Sequence, residues 1–397
     1  MDKIKDIVLL GATGSIGTQT LEICSNKKIK VKGIAFNNSY EKAIEIIEKY
    51  DPICICTSSL SSFEKLKEIY KNKEIVYGDE GFKKIVDYSD NIVNAITGIT
   101  GLKPTIYSLK RGKTIYLANK ETLVVAGDLI KREAQEKNVK IIPIDSEHDA
   151  IYRLIHNNKL INCDNKDYKI SRLIITASGG AFKNKTREEL KDVTIEEALK
   201  HPNWSMGKKI TIDSQTMVNK ALEIIEAYYL FDIDYDKIET IIHPESIIHS
   251  MVEYCDGSVE AVMYKPTMLI PIQNALLKDF ENINVKKLDF NSLKSLTFMK
   301  MDFDRFPFIR LAYEVLKKKG FYPVCFNASN EACVDLFLKG KISFLDIEKI
   351  ILETIKSIET LKVKDKKITE LEYNFENILL VHETVIKKIK EVYKWII

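Results

Sequence analysis

The first third of the chain alternates short apolar runs with stretches of helical period, and that alternation constrains the fold more than any other feature of the sequence. The runs Asp6–Leu10, Val31–Phe36, Ile53–Cys56, Ile75–Tyr77, Ile92–Ile96, Thr114–Leu117 and Val139–Ile144 read as strands. Segments between them, such as Tyr40–Tyr50 and Ser62–Lys71, read as helices. Parallel strands need a crossover connection, and a helix after each strand supplies one. The expected class is therefore α/β, with a doubly wound parallel sheet at the N-terminal end. Ligands of such sheets sit beyond the carboxyl ends of the strands.

The character changes further along. A strand over Ile170–Ala177 ends in Ser178-Gly179-Gly180, a polar helical segment is expected over Thr186–Lys200, and a loop runs from His201 to Gly207. A strand–helix pair is expected over Lys209–Phe231, then strands at Thr240–Ile242 and Ser258–Tyr264. Lys287–Arg305 reads as a connector, and helical period returns near 307–319, 328–339, 343–360 and 375–397. The expected organisation is a nucleotide-binding domain over 1–145, a central α/β catalytic domain over 146–286, a linker over 287–306 and a helical bundle over 307–397.

Composition narrows the function classes. The 397 residues carry 60 Lys+Arg against 57 Asp+Glu, a net charge of +3, so a broad nucleic-acid footprint is not implied. No apolar run approaches the roughly 18–20 residues a membrane span requires. The opening MDKIKDIVLL is charged and runs straight into a strand, unlike a secretory signal. Seven cysteines, an odd and scattered set, make no disulfide framework. A soluble, cytoplasmic protein with no nucleic-acid or membrane partner is expected.

Gly11-Ala12-Thr13-Gly14-Ser15-Ile16-Gly17 follows the first strand and opens a helix. Glycines there permit a tight turn and let backbone N–H groups approach a pyrophosphate at a helix N-terminus, the Rossmann arrangement. A turn that merely closes a strand–helix corner is the plainer alternative. The second strand ends Ala35-Phe36-Asn37-Asn38-Ser39, without the acid that holds the 2′-hydroxyl of NAD. That favours NADP, with Asn37, Asn38 and Ser39 as donors and Lys42 near.

Pro143-Ile144-Asp145-Ser146-Glu147-His148 sits where a strand stops. If the strand continues, Asp145 and Glu147 face the same way and repel unless a cation or a proton neutralises them. Oxygen-only donors suit Mg²⁺ or Mn²⁺. The alternative is an acidic helix N-terminus capped by Asp145 or Ser146. A third carboxylate comes from Asp213–Glu223: in a helix, Asn219, Lys220 and Glu223 share a face, with Ser214 expected at the helix start. Ser178-Gly179-Gly180 can present donors to phosphate oxygens. His201, Trp204 and Met206 share a loop with Pro202 and Gly207, which suggests a lid. His148 is close enough to touch the site, His243 and His249 read as structural, and His156 and His382 read as surface positions. Cys54 and Cys56, two apart on a strand, read as core packing.

The ordered blocks GATGSIG, LANKET, PIDSEHDAI, SGGAF, HPNWSMGKKITIDSQTMVNKALEIIEA and IHPESIIHSMVEY, spread over essentially the whole chain, resemble the 1-deoxy-D-xylulose-5-phosphate reductoisomerase family. The resemblance implies an NADPH- and Mg²⁺- or Mn²⁺-dependent enzyme. It would rearrange and reduce 1-deoxy-D-xylulose 5-phosphate to 2-C-methyl-D-erythritol 4-phosphate, for isoprenoid precursor biosynthesis. It implies cofactor contacts at Thr13, Gly14, Ser15, Ile16, Asn38, Asn119, Glu121 and Gly207, and metal carboxylates at Asp145, Glu147 and Glu223. Lys120, Ser146, Ser178, His201, Ser214, Asn219 and Lys220 match substrate contacts, and Trp204 and Met206 match a mobile flap. A homodimer is implied as well. The catalytic set is then Glu147, Asp145, Glu223, Lys120 and His201. Asn37 stands where the family often has lysine, which removes one positive charge from the expected 2′-phosphate site. Two other readings are a plain NADP-dependent dehydrogenase of a phosphorylated substrate and a nucleotide-sensing scaffold. The three carboxylates count against the first, and they and Lys220 against the second.

Overall fold

The structure is a computed structural model and describes residues 4–157, 170–202, 204, 206–277 and 282–393. They form two compact units, one drawn from Met1–Thr122, Asp128–Asp149 and Thr267–Val285, the other from Leu123–Gly127, Ala150–Pro266 and Lys286–Ile397.

The first unit contains strands β1 (Asp6–Leu10), β2 (Lys30–Phe36), β3 (Cys54–Thr57), β4 (Glu74–Tyr77), β5 (Asn91–Asn94), β6 (Thr114–Leu117) and β7 (Ile141–Pro143). Helices α1 (Ser15–Lys27), α2 (Tyr40–Tyr50), α3 (Leu60–Ile69), α4 (Gly78–Ile85), α5 (Leu102–Lys110) and α6 (Lys120–Glu136) alternate with them. All seven strands are parallel, in the order β4-β3-β2-β1-β5-β6-β7. The α/β class and each of the seven expected strands are present, with ends moved by a residue or two.

Both faces of this sheet are covered, which is why the centres of its strands carry consecutive buried apolar residues, as in Ile7–Leu10 and Ile34–Phe36. Ile7 and Leu9 join one buried cluster, and Val8 and Leu10 join the other with Cys54 and Cys56. The two cysteines are core residues, as expected. Because β1 lies between β2 and β5, the strand order reverses beside it, and ligands of such sheets bind beyond the carboxyl ends at that switch point.

Helix α7 (Ser146–Asn157) carries the chain onward from β7. The second unit holds a five-stranded sheet made of β8 (Ile170–Ala177), β9 (Ile238–Ile242), β10 (Ile248–Tyr254), β11 (Val259–Met263) and β12 (Met299–Lys300), in the order β11-β10-β8-β9-β12. Only β8 and β9 run parallel. Strand β10 lies between the expected strands at Thr240–Ile242 and Ser258–Tyr264, where the sequence pattern pointed to none.

Two expected elements need correction. The Thr186–Lys200 stretch is mostly turns, with only the short helix α8 (Ile195–Ala198), opened by a capping box between Thr194 and Glu197. Lys209–Phe231 is not a strand–helix pair but two helices, α9 (Lys208–Thr216) and α10 (Val218–Phe231). The β-branched run Ile210-Thr211-Ile212 suggested a strand, but local preference yields to packing, since Thr211 and Ile212 are buried within a helix. Helix α11 (Leu269–Leu277) was missed too: LIPIQNALL is too evenly apolar to show a helical period. It packs Ile272, Ala275 and Leu276 into the cluster of the first unit that contains Ile7 and Leu9.

The expected C-terminal helices are present as α12 (Pro307–Lys318), α13 (Tyr322–Leu338), α14 (Phe344–Lys356) and α15 (Phe375–Val392). The last was expected to continue over residues that lie outside those described. His382, expected at the surface, is buried at 3% exposure and faces Asn327 and Glu331 on α13. No helix among the described residues is long and apolar enough to cross a membrane.

Candidate active site

The glycine loop is shaped for close backbone approach. Gly11 has φ +86°, and a Cβ there would lie 2.5 Å from the Ala95 carbonyl oxygen beyond β5. A Cβ on Gly17 would lie 2.2 Å from the Gly11 carbonyl oxygen, so this glycine lets α1 pack onto the turn. Gly14 occupies the N-cap of α1 without a capping side chain, and Thr13 to Ile16 edge the helix N-terminus where N–H groups lack intrahelical acceptors. Lys42 on α2 donates to the Thr13 carbonyl at 2.8 Å, which brings a positive charge to the loop. The tip of β2 is open: Asn37, Asn38 and Ser39 are exposed, and Thr57 steadies the turn by donating to the Asn37 carbonyl at 3.0 Å.

Asn119 is 1% exposed and caps α6. Its oxygen accepts from the Thr122 N–H at 3.0 Å, and its amide nitrogen donates to the carbonyls of Ile96 at 2.5 Å and Gly98 at 2.9 Å. It also reaches Glu121 at 3.3 Å. Asn119 thus ties the loop after β5 to the start of α6, which fixes Lys120 and Glu121 beside it. Lys120, only 7% exposed, ion-pairs with Asp145.

Asp145 and Glu147 are not on a strand. β7 stops at Pro143 and α7 begins at Ser146, so both carboxylates stand at a helix N-terminus, the alternative the sequence left open. Negative charge is favourable there. Ser146 donates to Glu147 at 2.5 Å, and the Asp149 N–H closes the first turn on the Asp145 carbonyl at 2.7 Å.

In the second unit, Asn219, Lys220 and Glu223 share a face of α10, as their spacing predicts. Glu223 has 0% exposure and accepts from Asn219 at 2.5 Å and from Lys220, itself 4% exposed. Removing either partner of so buried a pair strands the other charge. Ser214 is placed differently from expectation. It sits in the last turn of α9, and Met217, with φ +64°, separates α9 from α10. The expected continuous helix over 213–223 is broken there.

Ser178, in the turn after β8, accepts from the Gly180 N–H at 3.1 Å and lies 3.2 Å from His201 Nε2. His201 Nδ1 accepts from the Trp204 N–H at 3.0 Å, so in the neutral ring Nε2 carries the proton and donates to Ser178. Ser178 Oγ then accepts from both, and its own proton is left to donate to a further acceptor. Burial, helped by the Lys183 ammonium, pulls the His201 pKa down to about 4, so the ring stays neutral near pH 7. The sequence reading missed Lys183 because nothing in its spacing connects it with His201. Trp204 rests edge-on against His249 with centroids 6.1 Å apart, and His249 stacks on Tyr264 at 3.8 Å. His243 is buried and held by the Thr297 carbonyl at 2.9 Å, which fits a structural role. Met206 is half-buried and Gly207 caps α9; Asn203 and Ser205 of the same loop lie outside the described residues.

The first unit therefore brings together Thr13–Ile16 and the β2 tip, and separately Lys120, Asp145, Ser146 and Glu147. The second gathers Ser178 with His201, and Asn219 with Lys220 and Glu223. The carboxylates offer only hard oxygen donors, each with a donor or cation beside it, a set chemically suited to Mg²⁺ or Mn²⁺.

Family models that match successive parts of the chain all belong to one family. Residues 7–127 match the family model described as 1-deoxy-D-xylulose 5-phosphate reductoisomerase, residues 141–231 match its C-terminal domain, and residues 263–385 match the DXP reductoisomerase C-terminal domain. The Clostridium tetani (strain Massachusetts / E88) 1-deoxy-D-xylulose 5-phosphate reductoisomerase is 46% identical over 98% of this chain and 100% of its own length. The protein of that name from Clostridium perfringens (strain 13 / Type A) is 45% identical over 90% and 93%. Among solved structures, DOX-P reductoisomerase in complex with NADPH, fosmidomycin and magnesium has a TM-score of 0.91 at 35% identity, covering 98% of each chain. The Zymomonas mobilis enzyme in complex with NADPH has a TM-score of 0.87 at 34% identity, covering 99% of this chain and 100% of its own.

Proposed function

Because the chain belongs to the 1-deoxy-D-xylulose 5-phosphate reductoisomerase family, we propose that the residues gathered above carry out that family's reaction. The protein is an NADPH- and divalent-metal-dependent oxidoreductase that converts 1-deoxy-D-xylulose 5-phosphate to 2-C-methyl-D-erythritol 4-phosphate. The observation that carries the assignment of roles is the pair of buried carboxylate–lysine arrangements, Lys120 with Asp145 and Lys220 with Asn219 and Glu223. Plain hydride transfer needs neither.

Asp145, Glu147 and Glu223 are the proposed metal carboxylates. They would hold Mg²⁺ or Mn²⁺, which would supply Lewis-acid catalysis toward the substrate's oxygens. Thr13, Gly14, Ser15 and Ile16 offer the backbone and hydroxyl donors of the loop to the NADPH pyrophosphate. Asn37 and Asn38 face the adenosine end; Asn119, Glu121 and Gly207 complete the cofactor contacts. Lys120 holds Asp145 in place and donates to the substrate. Ser178, Ser214, Asn219 and Lys220 donate to its phosphate, whose binding supplies energy remote from the reacting carbons. His201, neutral at working pH, gives a hydrogen bond without adding charge, and with Ser146 it orients the hydroxyl groups. Trp204 and Met206 cover the substrate and exclude water from the aldehyde stage.

The cofactor-binding part is assigned to 1–145, the catalytic part to 146–286, the linker to 287–306 and the bundle to 307–397. A homodimer is the proposed assembly, supported by the edge position of β11 and the exposure of Val259 at 48%. Six cysteines among the described residues are free thiols, which supports a cytoplasmic location.

The test of the metal assignment is a Mn²⁺ titration followed by electron paramagnetic resonance. Glu147→Gln and Glu223→Gln are each expected to weaken binding by about tenfold or more, as loss of a charged ligand should. Unchanged Mn²⁺ affinity in both variants would remove the assignment.

A further inference from the structure

Gln215 follows Ser214 in the last turn of α9 and is 2% exposed. Its amide reaches main chain on both sides. The oxygen accepts from the Ala181 N–H at 2.6 Å, and the nitrogen donates to the carbonyls of Lys200 at 2.8 Å and Ala198 at 3.2 Å. Ala181 directly follows Ser178-Gly179-Gly180, and Lys200 directly precedes His201. The turn is shaped around the amide: Gly180 has φ +67°, and a Cβ on it would lie 2.6 Å from the Gln215 oxygen.

We propose that Gln215 is the positioning residue of the substrate-phosphate site, setting the spacing between Ser178, His201 and Ser214. The inference rests on the reading of those three as substrate contacts. They arrive from a strand end, a loop and a helix, and a single buried amide bridges all three segments. Both of its donor hydrogens and its oxygen are used on backbone, so no other side chain of that size reproduces the set. Without it, the Ala181 N–H and the Ala198 and Lys200 carbonyls lose their partner, and the turn and the loop relax independently. Ser178 and His201, now 3.2 Å apart, then no longer present donors at a fixed spacing.

The test compares the Michaelis constants for 1-deoxy-D-xylulose 5-phosphate and for NADPH in the full-length holoenzyme. Gln215→Met keeps volume and loses all three hydrogen bonds. It is expected to raise the substrate KM about tenfold, since misplaced contacts chiefly remove binding, while the NADPH KM stays within about twofold. Inorganic phosphate, as a competitive inhibitor, should weaken in parallel. Equal changes in both KM values, or no change in either, would overturn the proposal. Gln215→Glu serves if the methionine variant does not fold. Glutamate can still accept from Ala181, but only its protonated form can donate to Lys200. Its substrate KM, taken relative to the parent enzyme at each pH, should therefore recover as pH falls; a pH-independent ratio would count against the amide's role. Ser178→Ala and Ser214→Ala separate the two layers of the argument. If neither raises the substrate KM, the phosphate-site reading and the proposal fail together. If both do and Gln215→Met does not, the positioning role alone fails.

Discussion

Glu223 shows how a single residue carries two demands. At 0% exposure it is far from water, and Lys220 and Asn219 hold its charge within α10. Lys220→Met is expected to lower stability by about 3 kcal/mol, because it leaves a buried carboxylate without its cation. Denaturant unfolding measures this, and a loss near zero would show that Glu223 is neutralised otherwise. His201 has the opposite electrostatic problem. Burial holds its pKa near about 4, against 6.5 for the free ring. Between those values the unfolded chain binds a proton that the folded chain does not, so His201 lowers stability as pH falls from 6.5 toward 4. NMR titration of its ring should show no protonation above about pH 5. A midpoint near 6.5 would contradict the buried, neutral donor. Asn37, exposed at the tip of β2, makes a third case. Asn37→Lys should raise the NADPH-to-NADH ratio of kcat/KM by about fivefold, the worth of one added surface charge near a phosphate. An unchanged ratio would mean that the 2′-phosphate lies elsewhere.

At the scale of elements, the parallel sheet was legible because its strands are short, mostly apolar runs, each followed by a helix. The sites were legible where residues sit at fixed spacing on one element, as Asn219, Lys220 and Glu223 do. Elsewhere the spacing misled. Asp145 and Glu147 converge at a helix start rather than along a strand, and Met217 breaks what reads as one helix. A positive φ at a methionine has no sequence signature. Nor does the burial of His382, which depends on α13 facing α15, or of Gln215, whose partners are all backbone. The glycine loop offers the sharpest element-level prediction. Gly11→Ala places a methyl group 2.5 Å from the Ala95 carbonyl oxygen in a left-handed conformation. NADPH affinity, measured by fluorescence, should fall by about tenfold or more, since strain of a few kcal/mol must be relieved by moving the loop. Retained affinity would mean that the loop does not carry the pyrophosphate.

The whole molecule returns to the family that its sequence blocks suggested, over nearly its full length. Its compact units do not follow the chain in order: α11 joins the first sheet after more than a hundred intervening residues, and the helices after 307 share a unit with the second sheet. Sequence periodicity reports elements, not which distant element closes a core, so this division had no signal to find. The exposed edge of β11 bears on assembly. Light scattering should give about twice 45.6 kDa for the parent protein, and Val259→Lys should shift it toward the monomer, as charge on an edge strand opposes pairing. A parent mass of one chain would exclude the dimer.

The most direct measurement of the central claim follows NADPH absorbance with purified protein, 1-deoxy-D-xylulose 5-phosphate and Mg²⁺ or Mn²⁺, with a chelator control and product analysis. The account predicts NADPH loss that stops on chelation and yields the branched product 2-C-methyl-D-erythritol 4-phosphate. NADPH loss that survives chelation, or an unbranched product, would contradict it.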